Sequence, residues 1–165
     1  GGSEKRPMIY RAYTSNDLAA VIRLFHDTVH AVCARDYTPK QLDAWAPQEL
    51  DMERWQATLL AHHTIIAEEA GIITGFGDMD NAGYLDRLYV HKDFQRQGIA
   101  TAICDRLESY LSPELLCARF TTHASITAKP FFEKRGYRVI KEQTVERCGI
   151  QLTNYTMEKP CRKAE

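Results

Sequence analysis

No Cys-x-x-Cys pair, no Gly-x4-Gly-Lys-Ser/Thr loop and no apolar run near the ~20 residues of a membrane span occur in this 165-residue chain. These absences exclude a zinc ribbon, a nucleoside-triphosphate loop and a helical membrane anchor. The five cysteines (Cys33, Cys104, Cys117, Cys148 and Cys161) are odd in number, which argues against a disulfide framework and for reduced thiols in a cytoplasm. Charge of one sign is missing too. With 21 Lys and Arg against 22 Asp and Glu the net charge is −1, so no broad attraction to nucleic acid or membrane is expected, though one loop could carry a local basic patch. Repeats, low-complexity stretches and linkers are also lacking.

What is present fits one ordinary domain: 44% hydrophobic and 26% charged residues, enough chain for a two-layer core. Gly1-Gly2-Ser3 reads as an expression scar and nothing near it reads as a signal peptide. Residues 1–7 are therefore expected to be a tag remnant, 8–160 a single domain and 161–165 a tail.

Hydrophobic periodicity predicts a first strand over Ile9–Tyr13, then a helix started by Thr14 and Ser15 with Leu18, Val21, Ile22, Phe25 and Val29 on its apolar face. Thr38-Pro39 opens a short helix that Pro47 stops, and Asp51 caps another bearing Met52, Trp55, Leu59 and Leu60. Strands follow over 64–68, 72–79 and 84–90, separated by the Ala70-Gly71 and Asp80–Gly83 turns. A helix with Ile99, Ala102, Ile103, Leu107, Tyr110 and Leu111 on one face ends at Ser112-Pro113. Strand 115–123, helix 127–135 and a final antiparallel pair over 137–146 and 151–157 complete the chain. Pro130 belongs in a first helical turn, so regular helix should begin nearer Lys129 than Ile126. The prediction is a mixed α/β sheet, mostly antiparallel, of about seven strands with helices on both faces.

One segment stands out: Leu88-Tyr89-Val90-His91-Lys92-Asp93-Phe94-Gln95-Arg96-Gln97-Gly98-Ile99-Ala100-Thr101. A β-rich strand runs through a short turn to a glycine that opens a helix. Such a junction gathers unpaired N–H groups and the positive end of a helix dipole, a natural seat for a phosphate. A plain strand-turn-helix with a capping glycine is the alternative. A dinucleotide fingerprint is excluded, because only one glycine stands where three are needed. The pattern Gln95-x-x-Gly98-x-Ala100 resembles the pyrophosphate-binding signature of the GNAT superfamily of acyl-CoA N-acetyltransferases, Arg/Gln-x-x-Gly-x-Gly/Ala. A second block, Ser125-Ile126-Thr127-Ala128-Lys129-Pro130-Phe131-Phe132-Glu133-Lys134-Arg135-Gly136-Tyr137, resembles that family's late helix, Asn-x-x-Ala-x-x-Phe-Tyr-Glu-Lys-x-Gly-Phe. The resemblance covers roughly residues 84–157; before that, only the order of elements is similar.

The resemblance implies an acetyl-CoA-dependent N-acetyltransferase in which a primary amine attacks the thioester directly in a ternary complex. It implies that N–H groups from Arg96, Gln97, Gly98, Ile99, Ala100 and Thr101 cradle the pyrophosphate, with Gln95 in the signature. Leu88, Tyr89 and Val90 would pair their backbone with the pantetheine arm, Ser125 and Phe132 would close over it, and the Val90 N–H would meet the developing oxyanion. A lysine-like amine with a pKa near 10.4 is neutral in only about one molecule in 10³ at neutral pH, so a base is useful. Asp86 is the first candidate, since strand alternation puts it on the face of Leu88 and Val90; a salt bridge to a nearby arginine is its structural alternative. His123, ending the neighbouring strand, is the second, unless it is simply a surface histidine.

The chain departs from the family at the thiolate's acid, because Phe132 stands where a tyrosine is usual. Water or a hydroxyl of Tyr84, Tyr89 or Tyr155 could protonate the sulfur, the thiolate could leave unaided, or the domain could bind acyl-CoA without turning it over. A simple α/β interaction module is a further class. Trp45, Trp55, Tyr37, His26 and His30 are expected near the acceptor wall; His26 and His30 lack a third ligand, so no metal is predicted. His62 and His63 point to different sides and are read as solvated, and Cys33, Cys104 and Cys117 as core. Composition does not tell the acceptor, whether small amine or protein, and leaves monomer or homodimer open. Neither a membrane nor nucleic acid is implied.

Overall fold

A computed structural model describes residues 7–111 and 119–161. The scar at residues 1–3, the Ser112-Pro113 stop, the start of the strand predicted from Leu115, Cys117 and the tail beyond Cys161 lie outside the described residues.

The chain runs β1 (Ile9–Ala12), α1 (Leu18–Val32), α2 (Pro39–Trp45), α3 (Met52–Ala61), β2 (His63–Glu69), β3 (Ile72–Met79), β4 (Tyr84–Val90), α4 (Ile99–Tyr110), β5 (Arg119–Ser125), α5 (Lys129–Lys134), β6 (Arg138–Arg147) and β7 (Ile150–Pro160). Local chemistry sets the helix starts. The Thr38 hydroxyl accepts from the Gln41 N–H while the Gln41 side chain accepts from the Thr38 N–H, with Pro39 in the first turn. Asp51 accepts from the Arg54 N–H. Pro130 falls in the first turn of α5, as its missing N–H requires.

The seven strands form one sheet in the order β1-β2-β3-β4-β5-β7-β6, antiparallel throughout except for the parallel pair β4–β5. Strand alternation sends neighbours to opposite faces, and β2 shows why the sheet is buried on both. Ile65 and Ala67 join the core under α4 and α5, while Ile66 between them joins the core under α1 to α3. The first core gathers Met79, Leu85, Ile103, Leu107 and Phe132; the second gathers Val21, Phe25, Leu59 and Phe76.

Two glycines of β3 let α4 come close. A Cβ at Gly75 would stand 3.0 Å from Ile99 Cγ2, and one at Gly77 would stand 2.9 Å from Ile103 Cγ2 and 3.1 Å from the Arg87 carbonyl oxygen. This close seating brings the first turn of α4 up beside the end of β4.

Cys33, Cys104 and Cys148 are free thiols, but Cys161 is disulfide-bonded. That corrects the expectation of reduced cysteines throughout.

Candidate active site

β4 and β5 are paired only at Tyr84–Thr121 and Leu85–Thr122, and then part company. β4 stays with β3 as far as Gly75–Val90, and β5 stays with β7 as far as Ser125–Asn154. Between them opens a cleft of about 400 Å³. His91 N–H donates to the Thr74 carbonyl at 2.7 Å, so the amides of Tyr89 and His91 face β3 and those of Leu88 and Val90 face the cleft. The Val90 carbonyl is taken by two side chains, Gln95 Nε2 at 2.6 Å and Thr28 Oγ1 at 3.2 Å, rather than by a strand. Its N–H stays directed at the gap.

Gly98 closes one end of the cleft. It is the N-cap of α4 with φ +77°, no side chain caps this end, and no heavy atom lies within 4 Å of where its Cβ would be. Arg96 is also left-handed, at φ +61°. The first turn of α4 thus presents unpaired N–H groups to open space with no Cβ in the way. Of the residues predicted for the cofactor, Leu88, Tyr89, Val90, Gln95, Arg96, Gly98, Ile99, Ala100, Thr101, Ser125 and Phe132 line this cleft, and Gln97 does not. Gln95 works as a brace, since its amide is spent on the Val90 and His91 carbonyls.

Asp86 and His123 also line the cleft, but Asp86 arrives there by another route than alternation. Asp78 pairs with Arg87 and Met79 with Leu85, so Asp86 is the extra residue of a β-bulge. The bulge resets the period-2 pattern, and the Asp86 carboxylate turns to Arg87 Nη1 at 3.7 Å and His62 Nδ1 at 4.0 Å. The arginine anticipated as its alternative partner is therefore its neighbour in sequence. Asp78 lies beneath, fully buried, and its Oδ2 accepts from His62 Nδ1 and Arg87 Nη1, each at 2.8 Å. Asp78 Oδ1 has no hydrogen-bond partner among the described residues. Arg87 also donates to Thr58 Oγ1 at 2.9 Å and lies 4.3 Å over the Trp55 ring.

His62 is thus a corrected expectation: far from being solvated, it is tied into this group, and the hydrogen bond to Asp78 holds its proton above the ordinary histidine range. Burial pushes the Asp78 carboxyl up while His62 and Arg87 oppose it. His62, Asp78 and Asp86 bring one nitrogen and two carboxylate oxygens within 4.8 Å of one another. A cation would have to compete with the guanidinium already bonded to Asp78, so the group is an ion network. His63 does point elsewhere, to Asn81 at 2.9 Å and flat on Tyr110.

His123 is exposed and meets Tyr84 edge-on at 5.4 Å. Phe132 is buried against Phe131 and Tyr137, with ring centroids 5.1 and 5.2 Å away. Of the three candidate hydroxyls only Tyr89 belongs to a lining residue, and its ring packs with Phe25 and Phe76 on the α1 face, where burial drives its hydroxyl upward. Tyr84 is pushed up to about 12, and Tyr155 lies under Lys129 at 4.7 Å. Trp45 lines the cleft; Tyr37 instead bonds the Thr153 carbonyl and the Ile126 N–H. The His26 and His30 rings meet at a tilt with centroids 4.3 Å apart, and His30 Nε2 meets the Ala46 carbonyl at 2.8 Å. Sequence reading missed Thr28, whose only signal is a hydroxyl on the apolar stripe of α1, and Cys33, which borders the cleft with its thiol pushed up to about 11 by burial.

A parted strand pair ending on an uncapped helix start leaves strand amides and helix-start N–H groups unpaired along one gap. The acetyltransferase (GNAT) domain model matches residues 33–159. The uncharacterized N-acetyltransferase YafP of Escherichia coli K12 is 32% identical over 151 residues, covering 89% of this chain and 92% of that protein. Among solved structures, a GCN5-related N-acetyltransferase from Rhodopseudomonas palustris is similar with a TM-score of 0.88 and 31% identity, covering 97% of this chain and 99% of that one. YncA of Salmonella typhimurium, solved with acetyl-CoA, shares the fold at a TM-score of 0.70 and 16% identity, each chain covered to 96%. The chain belongs to the GNAT family and is an N-acetyltransferase.

Proposed function

We propose that this protein, through a single domain over residues 8–160, moves the acetyl group of acetyl-CoA to a primary amine by direct attack in a ternary complex. The observation that carries this reading is the gap between β4 and β5, with the free Leu88 and Val90 amides along one side and Gly98 at its end. The pyrophosphate would sit on the first-turn N–H groups of α4, with Arg96 adding charge and Ala100 small enough to be tolerated. Ser125 and Phe132 would flank the pantetheine arm. Structures of related fold carry coenzyme A or acetyl-CoA, as in PaiA of Thermoplasma acidophilum and YncA.

In the reaction the amine nitrogen bonds to the thioester carbon as the C–S bond breaks. The Val90 N–H supports the charge that gathers on the carbonyl oxygen. One proton passes from nitrogen to the Asp86 carboxylate, directly or through water, with His123 the second candidate. The sulfur departs as a thiolate, a tolerable leaving group at a thiol pKa of about 8.5, and takes its proton from water.

A second reading is favoured by one observation, Phe132, which is buried and has no proton to give: an acyl-CoA-binding domain with lost catalysis. The test is acetyl-CoA-dependent thiol release over a panel of polyamines, amino acids, aminoglycosides and peptides with free N-termini, beside calorimetry with acetyl-CoA. Release with an amine supports transfer; binding without release supports the second reading; no binding ends both. Among the described residues no helix is long and apolar enough to cross a membrane. A cytoplasmic setting accords with three free thiols, while the disulfide at Cys161 pulls the other way.

A further inference from the structure

Asp86 is the bulged residue of β4 and its side chain is about a third exposed, so the strand ladder alone does not fix where its carboxylate sits. Two basic groups lie within 4 Å of it, His62 Nδ1 and Arg87 Nη1. Both are themselves held at 2.8 Å by one oxygen of Asp78, which is wholly buried. For stability alone the whole network could be apolar, because replacing every member of a buried charge network by well-packed hydrophobic residues often costs nothing. What the buried acid does achieve is a fixed placing of an imidazole and a guanidinium beside Asp86, the one carboxylate among the described residues that opens on the cleft.

We propose that His62, a residue outside the cleft, is a positioning residue for the acceptor half of the reaction, holding the Asp86 carboxylate through the Asp78–Arg87 pair. This rests on the reading of Asp86 as the base. The charged groups facing His62 are Asp78 and Asp80 from β3 and the turn after it, and Asp86 from β4; Arg87 of β4 joins the network through Asp78, and the uncharged Thr58 of α3 through Arg87. His62 and Asp86 lie 4.0 Å apart, and the Asp86 carboxylate is one of the charges that favour the protonated His62 ring.

The test uses the full chain and two variants, His62→Gln, which keeps an amide donor for Asp78, and Asp86→Asn, both checked for folding by thermal melting. The His62 ring is titrated by NMR in wild type and Asp86→Asn. Profiles of kcat/KM against pH are measured for both variants with the fastest amine of the panel above. Coupling across a partly exposed 4 Å gap predicts that Asp86→Asn lowers the His62 midpoint by about one pH unit. His62→Gln should move the low-pH limb of kcat/KM to higher pH and leave KM for acetyl-CoA unchanged. A His62 midpoint indifferent to Asp86→Asn overturns the proposal, as does an unmoved limb. Wild-type turnover in Asp86→Asn refutes Asp86 as base, and the NMR titration still decides the coupling by itself.

Discussion

Where Gly98 opens α4, backbone groups face the cleft and side chains stay clear, with no heavy atom within 4 Å of a would-be Cβ. Beside Asp86, on the other wall, four charged side chains crowd within 4 Å of their partners and the deepest of them is fully buried. The first wall can hold an anion because dipoles and amides are fixed by helix geometry, whatever the side chains are. The second depends on which side chains meet, and each of its charges is tolerable only because the others are there. One region is therefore sensitive to the addition of atoms and the other to their removal.

The largest effect expected from that contrast is at Asp78. Asp78→Ala would leave His62 and Arg87 without the carboxylate they share and should destabilise by about 3–5 kcal/mol, read as a fall in the urea midpoint. Losing under about 1 kcal/mol, the range of an exposed pair, would mean that water already reaches the network and that the contrast is false.

The same contrast explains what the sequence could disclose. The glycine wall is local: strand, turn and helix start lie within residues 88–101, so motif and fold order were readable, and the two β3 glycines are the price of seating that helix closely. The charged wall joins residues 62, 78, 86 and 87 from two strands and a helix end, and none of their spacings carries a signal. Period-2 counting also failed at Asp86, since a bulge between Asp78 and Met79 adds a residue that no pattern announces. His62 looked solvated for the same reason, its partner being sixteen positions away. Pro130, by contrast, was read correctly, because its constraint is its own.

Adding one methyl at two glycines sharpens the comparison. Gly77→Ala meets Ile103 at 2.9 Å and the rigid Arg87 carbonyl at 3.1 Å, so about 1–3 kcal/mol of stability should go, with KM for acetyl-CoA affected only indirectly. Gly98→Ala meets nothing but holds φ at +77°, and should cost about 1–2 kcal/mol from backbone conformation. Its distinguishing result is weaker coenzyme A binding in calorimetry, because its methyl would enter the space offered to the phosphate. Unchanged binding would move the anion site away from the α4 start.

The smallest effect is the pH dependence of stability, and its sign follows from His62. The folded protein holds that proton above the ordinary value of 6.5, chiefly through the Asp78 hydrogen bond. The stabilisation is therefore complete below 6.5 and is lost as pH rises through the raised folded value. Burial of the Asp78 carboxyl acts in the same sense, starting lower, from 3.8. Wild-type urea midpoints should fall from pH 6 upward more steeply than those of His62→Gln, since titrations common to both chains cancel in the difference. Parallel curves would show that the imidazole is solvated after all, and the two walls of the cleft would then differ less than their geometry says.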